Sequence, residues 1–280
     1  MDLLVSTEWL ADEIGARDLT AVDATYFALE PERDARAAYE AAHLPGARFL
    51  DLESLNDPDD PLPGMLPGEA AFAARMDALG LRAGMRVVLY DQAPHHTAAR
   101  AWWMLRLFGV REVALLDGDL AKWQREGRAI ETGPGRRDAA GGFVAHRDAG
   151  HVRTRAQVEA NLAGHAEQLL DARSAARFEG CEPDPRAGVE PGHIPGSRNL
   201  PYGGLFEADG TWKRGPALVA AFEGVGIDLA RPVVTTCGSG ITAAILLFGL
   251  ALLGKSDVAL YDGSWSEWGA DPALPKATGA

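Results

Sequence analysis

Residues 231–255 read RPVVTTCGSGITAAILLFGLALLGK, in which a β-branched run, a glycine-rich turn and a long apolar stretch follow one another. This order predicts a buried strand that ends at Cys237 and a buried helix that ends near Gly254. A strand, a tight turn and a helix are the parts of a βα unit, in which the helix N-terminus lies beside the end of the strand. The stretch therefore predicts an α/β fold with a cysteine at the carboxyl end of a strand.

The chain repeats itself once. The segment VALYDGSWSEW at residues 258–268 matches VALLDGDLAKW at residues 113–123, and HIPGS at residues 193–197 matches HLPGA at residues 43–47. The order of the matches is the same in both halves while the offset between them drifts from 145 to 150 residues. This pattern indicates two duplicated domains that differ in loop length, and it is too sparse for a short-period solenoid.

Short apolar runs alternate with longer amphipathic stretches in both halves, which predicts the α/β class. Each domain is expected to be a mainly parallel sheet flanked by helices on both faces. We predict an N-terminal domain over residues 1–132, a linker over residues 133–150, where Gly, Pro and charge replace apolar periodicity, and a C-terminal domain over residues 151–280. The predicted strands are LTAVDA at 19–24, MRVVLYD at 85–91, EVALLD at 112–117, EQLLDA at 167–172, RPVVTTC at 231–237 and DVALYD at 257–262.

The composition excludes several classes of function. The chain has 280 residues, of which 47% are hydrophobic and 24% charged, as in ordinary globular proteins. Acidic residues outnumber basic ones by 40 to 27, so neither a nucleic acid nor an anionic membrane is an expected partner. The N-terminus has no secretory signal pattern, and the longest strongly apolar run, residues 243–253, is shorter than the roughly 18 residues of a membrane span. A cytoplasmic location is expected.

Cys237 is the candidate nucleophile. Backbone N–H groups and the helix dipole at the strand end stabilise a thiolate, and Gly238 and Gly240 let the backbone turn its N–H groups toward the sulfur. Ser239 adds a hydroxyl group. An isolated cysteine is more often a small buried hydrophobe, but ligands of open α/β sheets bind at the carboxyl ends of strands. The position therefore favours a reactive thiolate.

The loop and its neighbouring segments resemble those of the tandem rhodanese sulfurtransferases. The block CGSGIT at residues 237–242, together with HIPGS and YDGSW in the same half, carries this resemblance. The loop is most similar to that of the 3-mercaptopyruvate sulfurtransferases, in which Cys-Gly-Ser-Gly is the usual opening. The MLPG segment at residues 65–68 and the tryptophan pair at residues 102–103 extend the resemblance over nearly the whole chain. The thiosulfate-specific branch has basic residues after the cysteine, whereas this loop is neutral.

The resemblance implies two rhodanese-like domains, of which only the C-terminal one is catalytic. The repeat agrees, because aligning VVLYD at residues 87–91 on VVTTC at residues 233–237 places Asp91 at the nucleophile position. An aspartate cannot carry a transferable sulfur.

The resemblance also places the substrate-binding arginines of the family at Arg177 and Arg186. Their planar guanidinium groups suit a carboxylate and the adjacent keto oxygen. The alternative is that both are surface arginines in exposed ion pairs. The loop residues that are expected to bind the substrate are Gly238, Gly240, Ile241 and Thr242.

The implied reaction is sulfur transfer through a persulfide on Cys237. The donor 3-mercaptopyruvate would release pyruvate, and the outer sulfur would pass to cyanide or to a thiol acceptor such as reduced thioredoxin or a small thiol. Ser239 is expected to assist the proton transfers. The resemblance implies no cofactor, and a metal-dependent function is disfavoured because the adjacent pair His95 and His96 is the only suggestion of a metal ligand set.

Three other functions are considered. Thiosulfate:cyanide sulfurtransferase is the nearest alternative, and a non-catalytic persulfide carrier or binding module is the second. A cysteine phosphatase is disfavoured because Ala243 stands where the phosphate-binding arginine of that class is required.

The sequence departs from the family at the proposed proton relay. A histidine that often precedes the MLPG segment is replaced by Gly64, and the acidic relay position corresponds to Glu53. The relay therefore cannot operate in its usual form. His95 and His96, just after Asp91, are candidate substitutes, and the alternative is that they are ordinary loop histidines. The second cysteine, Cys181, is expected to be a free thiol without a function, and the alternative is redox pairing with Cys237.

Overall fold

The computed structural model describes residues 1–28, 30, 32–136 and 142–279. The predicted α/β class is confirmed, because the described residues form two five-stranded sheets in which every strand pairing is parallel. The strands are β1 (Leu4–Val5), β2 (Leu19–Asp23), β3 (Arg48–Phe49), β4 (Arg86–Tyr90), β5 (Val113–Leu116), β6 (Val152–Arg153), β7 (Gln168–Asp171), β8 (Arg198–Asn199), β9 (Val233–Thr236) and β10 (Val258–Tyr261). The helices are α1 (Thr7–Glu13), α2 (Ala35–Ala41), α3 (Glu69–Ala78), α4 (Ala98–Leu107), α5 (Asp119–Arg125), α6 (Arg155–Gly164), α7 (Ala175–Phe178), α8 (Gly215–Glu223), α9 (Ala243–Leu252) and α10 (Ser264–Trp268).

The two sheets have the same topology. The strand order is β1-β5-β4-β2-β3 in one and β6-β10-β9-β7-β8 in the other, so the sequence repeat is a repeat of the fold. The central strands, β4 and β9, correspond. Val87 of β4 pairs with Val113, and Val233 of β9 pairs with Val258. Asp91 and Cys237 therefore follow the central strands of their sheets.

The central strand and the following helix of the second sheet are buried because both faces of a parallel sheet are covered. All four residues of β9 are buried, as are the first eight residues of α9. The run over residues 243–253 is thus a core helix. No helix in the described part of the chain is both long enough and apolar enough to cross a membrane.

The chain divides into two compact units that are not contiguous in sequence. The first unit contains Met1–Asp57, Leu66–Asp148 and Phe206–Trp212. The second unit contains Pro58–Met65, Ala149–Leu205 and Lys213–Ala280. In the first unit, the Phe206 ring stacks on His96 with centroids 4.0 Å apart, and the Trp212 N–H donates to the Asp117 carboxylate at 2.9 Å. Each half of the sequence therefore supplies a short segment to the unit of the other half.

The predicted linker, residues 133–150, lies partly outside the described residues, which lack residues 137–141. The residues just after this gap belong to the first unit. The Phe143 N–H donates to Asp77 at 2.5 Å, and the His146 N–H donates to the Phe108 carbonyl at 3.2 Å. The domain limits at residues 132 and 151 stay a prediction.

Candidate active site

Cys237 lies between the end of β9 and the start of α9, and it is 2% exposed. Its N–H donates to the Ser264 hydroxyl at 3.2 Å, and its carbonyl accepts from the Trp265 N–H at 3.0 Å. Both partners belong to α10, which follows the neighbouring strand β10. The cysteine backbone is therefore fixed by a helix 27 residues further along the chain.

The conformation of the loop after Cys237 depends on its glycines and on hydrogen bonds from α10. The backbone and the hydroxyl of Ser266 both donate to the Gly238 carbonyl, at 2.9 and 2.5 Å. Gly240 has φ +77°, a left-handed conformation that favours glycine. The N–H groups of Ser239 and Ala243 have no acceptor among the residues that the structure describes. These donors are available to a negatively charged group at the start of α9.

The candidate arginines, Arg177 and Arg186, are held together by Asp184. The carboxylate of Asp184 accepts from Arg177 Nη2 at 2.6 Å and from Arg186 Nη1 at 3.2 Å, and the Arg186 N–H donates to it at 3.0 Å. The Asp184 side chain is 1% exposed, against 18% and 24% for the two arginines. The aspartate thus anchors both guanidinium groups from beneath and leaves their outer edges accessible.

The protonation of Asp184 fixes the charge of this cluster. Burial raises the pKa of Asp184, but the hydrogen bonds from the Arg186 backbone and the Arg177 guanidinium, with the charges of both arginines, outweigh burial and lower it. The carboxyl group is therefore ionised near neutral pH. Two guanidinium groups and one carboxylate leave a net charge of one positive unit beside the loop.

The two guanidinium groups lie against Gly238. A Cβ atom added to Gly238 would lie 3.1 and 3.3 Å from the terminal nitrogens of Arg186 and 3.4 Å from Arg177 Nη2. Glycine at this position therefore lets the arginines approach the backbone next to Cys237. Arg177 Nε is buried and has no hydrogen-bond partner in the described part of the chain. An unsatisfied buried donor of this kind fits an anionic ligand that would accept from it.

Gly64 also lies beside the loop, within the second unit. A Cβ atom added to it would lie 3.7 Å from the Ser239 carbonyl oxygen, and its φ is +75°. The position at which the resemblance implies a histidine is thus adjacent to the loop, but in this chain it has no side chain.

The three accessory candidates belong to the first unit. Glu53 is exposed in a turn after β3. His96 Nδ1 lies 3.1 Å from Asp119 Oδ2, and His95 precedes it in the same loop. The proton-transfer roles of these residues stay a prediction.

Asp91, His96 and Asp119 form a cluster in which the potential metal-ligating atoms lie within 4.8 Å of one another. The Asp91 oxygens accept from the backbone N–H groups of Ala93 and Ala98 at 2.9 and 2.7 Å. Burial and the charge of Asp119 raise the pKa of Asp91 well above its ordinary value. Burial lowers the pKa of His96, but the hydrogen bond to Asp119 and the charges of both aspartates raise it overall. The positive charge of His96 therefore balances the negative charge of the neighbouring aspartates within the first unit.

Four residues of these arrangements were not singled out from the sequence. Asp184 stands between the two arginines, where a single acidic residue resembles an ordinary surface charge. Ser264 and Ser266 lie in the repeated segment around YDGSW, and Asp119 is the repeat counterpart of Ser264. Only the repeat could have suggested that these positions support a loop. Both cysteines are free thiols, and Cys181 is exposed.

Comparison with known proteins agrees with this geometry. The rhodanese-like domain family matches residues 6–126 and 154–271. The chain is 40% identical to the 3-mercaptopyruvate sulfurtransferase of Mus musculus over 95% of this chain and 91% of that protein. It is also 40% identical to a thiosulfate sulfurtransferase of Cricetulus griseus over 95% of this chain and 91% of that protein.

A solved structure gives the same result for the fold. The crystal structure of SseA from Escherichia coli, a 3-mercaptopyruvate sulfurtransferase, superimposes with a TM-score of 0.86 and 37% identity, and the match covers 95% of this chain and 99% of that chain. Both copies of the repeat are therefore accounted for by known domains. The chain belongs to the rhodanese family, as a tandem-domain member of its sulfurtransferases.

Proposed function

We propose that this protein transfers sulfane sulfur from 3-mercaptopyruvate to a thiol or to cyanide through a persulfide on Cys237. The observation that carries the proposal is the placement of Arg177 and Arg186 against Gly238, one residue from the cysteine. Two guanidinium groups match the carboxylate and keto oxygen of a 2-oxo acid, and the donor sulfur lies two bonds from the keto carbon. The identity to 3-mercaptopyruvate sulfurtransferases over nearly the full chain supports the same substrate.

In the first half-reaction, the Cys237 thiolate attacks the sulfur of 3-mercaptopyruvate. A sulfur–sulfur bond forms while the carbon–sulfur bond breaks, and its electron pair leaves with the carbon as the enolate of pyruvate. A proton delivered to C3 of the enolate completes pyruvate. The Arg177 and Arg186 guanidinium groups stabilise the charge that develops on the keto oxygen.

The loop stabilises the persulfide. The backbone N–H groups of Ser239 and Ala243 have no acceptor among the described residues and are available to the outer sulfur. Gly238, Gly240, Ile241 and Thr242 contribute the backbone of this loop, and the Ser239 hydroxyl is the side-chain group proposed to assist proton transfer. These N–H groups therefore favour the ionised persulfide over the protonated persulfide.

In the second half-reaction, a thiolate attacks the outer sulfur and Cys237 leaves as its thiolate. Reduced thioredoxin or a small thiol is the proposed acceptor, and cyanide serves as an artificial one. A cytoplasmic location agrees with the two free thiols, since Cys181 is exposed and unpaired with Cys237.

Thiosulfate is the second candidate donor. The loop residues Gly238 and Ser239 are neutral, which disfavours a dianion, but the two guanidinium groups bring positive charge to the same place. The 40% identity to a thiosulfate sulfurtransferase favours testing this donor directly.

The test is a comparison of initial rates with the two donors. Pyruvate formation from 3-mercaptopyruvate and thiocyanate formation from thiosulfate are measured with cyanide as the common acceptor, in the wild type and in Cys237→Ser. We expect a higher kcat/KM for 3-mercaptopyruvate, lost in the variant. A higher kcat/KM for thiosulfate would reverse the donor assignment, and no turnover with either donor would leave a persulfide-binding module.

The accessory roles of His95, His96 and Glu53 in proton transfer are part of the proposal. Replacing both histidines by glutamine is expected to lower kcat and shift its pH profile, and Glu53→Gln is expected to do the same to a smaller degree. An unchanged rate and pH profile in these variants would exclude the roles.

A further inference from the structure

A cavity of about 720 Å³ lies in the first unit, at the amino ends of β2 and β4. Its walls include residues 14–18, which precede β2, and residues 82–85, which precede β4. In a parallel sheet, this edge is opposite the carboxyl ends of the strands, where Asp91 lies. The arginines that line the cavity are Arg17, Arg48, Arg82 and Arg136.

A second cavity, of about 400 Å³, adjoins the first one. It shares Arg48 and Arg136 with the larger cavity and adds Arg36 and Arg75. Six arginines therefore line one continuous region of a protein whose formal net charge is −13. Such a concentration of positive charge is not what the composition of the chain predicts for its surface.

The positive charge of the larger cavity is not neutralised by its own lining. Asp18 is the one acidic residue among the described residues that line it. Its carboxylate is already held by Arg86, outside the lining, through hydrogen bonds of 2.8 and 2.9 Å. Arg17 and Arg82 have no ion-pair partner among the described residues. The cavity therefore presents guanidinium groups that lack a counter-charge.

The repeat supplies an internal comparison. A cavity of about 270 Å³ lies at the same edge of the second unit. Its lining contains Pro195, Gly196 and Arg198, the repeat counterparts of Pro45, Gly46 and Arg48. The fold itself therefore creates a depression at this edge in both units.

The arginine lining, in contrast, is specific to the first unit. The smaller cavity has Arg198 and Arg231 together with the acidic residue Glu167. Gly80 and Gly226 correspond in the repeat, so that Arg82, two positions further, corresponds to Asp228. The first copy thus has a cation where the second copy has an anion. A general requirement of the fold does not account for this difference.

We propose that the arginine-lined cavity of the first unit binds a small molecule with at least two phosphoryl groups. Guanidinium groups bind phosphoryl oxygens in pairs of parallel hydrogen bonds, and a ligand with two phosphoryl groups offers such acceptors to both Arg17 and Arg82. The volume lies within the range of about 300 to 1,000 Å³ that is typical of small-molecule sites. No aromatic ring is among the described residues that line the larger cavity, so recognition rests on charge and not on stacking.

The experiment is calorimetric titration of the full-length protein with pyrophosphate at constant ionic strength, with citrate as a carboxylate of similar charge. We expect saturable pyrophosphate binding that weakens about tenfold or more when Arg17→Gln and Arg82→Gln are combined, because each exchange removes a charge-assisted hydrogen bond. Both side chains are exposed, and circular dichroism verifies that the variant is folded. Tighter binding of citrate would contradict the phosphoryl assignment.

Three matched variants separate this site from the rest of the molecule. Arg231→Gln changes the second unit's cavity, and Arg111→Gln removes an exposed charge outside both cavities. Both are expected to bind pyrophosphate as the wild type does, and so is the combined Arg177→Gln, Arg186→Gln variant. Binding that is lost in the last variant but kept in Arg17→Gln, Arg82→Gln would place the anion at the candidate active site and overturn the proposal. Absence of saturable binding to the wild type would overturn it as well.

Discussion

The loops after β4 and β9 occupy the same place in their sheets but differ in whether their backbone N–H groups are already hydrogen-bonded. In the first unit, the Asp91 carboxylate accepts from the N–H groups of Ala93 and Ala98. In the second unit, the corresponding N–H groups of Ser239 and Ala243 have no acceptor within the described residues. The first loop is therefore closed on its own side chain, whereas the second is open to a group attached to the sulfur.

The two loops share one supporting hydrogen bond beneath the residue at the strand end. The Asp91 N–H donates to Asp119 at 3.3 Å, as the Cys237 N–H donates to Ser264 at 3.2 Å. Asp119 and Ser264 also share a left-handed backbone, with φ of 54° and 51°. The arrangement of backbone donors at the strand end is therefore a property of the fold, and in the first unit the Asp91 carboxylate occupies two of these donors.

The largest expected effect comes from removing the sulfur. Cys237→Ser should lower kcat for pyruvate formation by about 10³-fold or more, because an alkoxide cannot carry the sulfur in a persulfide. The melting temperature should stay close to that of the wild type, since the change is nearly isosteric. Activity within tenfold of the wild type would show that another group is the nucleophile.

A double variant tests whether a cysteine at the strand end is sufficient to make the first loop catalytic. Adding Asp91→Cys to Cys237→Ser should restore no activity, because Pro94 stands where the second loop has Gly240, and proline cannot adopt the φ of +77° that Gly240 has. Restored pyruvate formation would mean that the strand-end residue alone distinguishes the two loops.

The next largest effect concerns Arg177 and Arg186, which lie beside the loop after Cys237. Arg186→Gln and Arg177→Gln should each lower kcat/KM for 3-mercaptopyruvate by about 10- to 100-fold, because each removes a charge-assisted hydrogen bond to the substrate. Part of the loss should be in kcat, because the guanidinium groups also stabilise the charge that develops on the keto oxygen in the transition state. Arg111→Gln, an exchange at an exposed site, is the control and should leave both parameters unchanged.

A smaller effect is expected at Asp184, which positions the arginines without touching the substrate. Asp184→Asn should raise KM by about tenfold with little change in kcat, because the amide binds the guanidinium groups less firmly. An equal loss in kcat would argue for a role in the chemical step instead.

Asp184 also gives a pH dependence of stability. Its pKa is lowered on folding, so its contribution is complete above the ordinary value of about 4 and is lost as the pH falls through the lowered value. The difference in unfolding free energy between the wild type and Asp184→Asn should be constant above about pH 5 and should shrink in acid.

The smallest effect concerns the closed loop. His96→Gln should lower the melting temperature by about 2 to 4 °C near pH 6, because the charged imidazole binds Asp119 and faces Asp91. The pKa of His96 is raised on folding, so this stabilisation is complete below the ordinary value near 6.5 and is lost as the pH rises through the raised value. A melting-temperature difference that does not decrease between pH 6 and pH 9 would contradict this account.

The sequence predicted the parts of the fold that carry long patterns. Each of the six predicted strands contains an observed strand, because runs of four or more buried residues are visible in parallel sheets. The two-residue strands β1, β3, β6 and β8 were not predicted, since two residues show no periodicity.

The candidate site was predictable only where residues are adjacent in sequence. The loop from Cys237 to Thr242 is one segment, and the repeat identifies its counterpart at Asp91. Ser264 and Ser266 support the loop from another strand, and Asp184 joins two arginines through a buried carboxylate. Contacts of this kind depend on which strands are neighbours, and the local sequence of one segment does not determine the order of strands in a sheet.

Because of the two short segments, Pro58–Met65 and Phe206–Trp212, the chain cannot be divided into two complete units by a single cut. A cut where the repeat ends would deprive the N-terminal fragment of Phe206, which covers His96, and of Trp212, which satisfies Asp117. The C-terminal fragment would lack the chain around Gly64 that borders Ser239. Although the two halves are copies of one another, neither half of the chain contains a whole unit, because each unit includes a short segment from the other half.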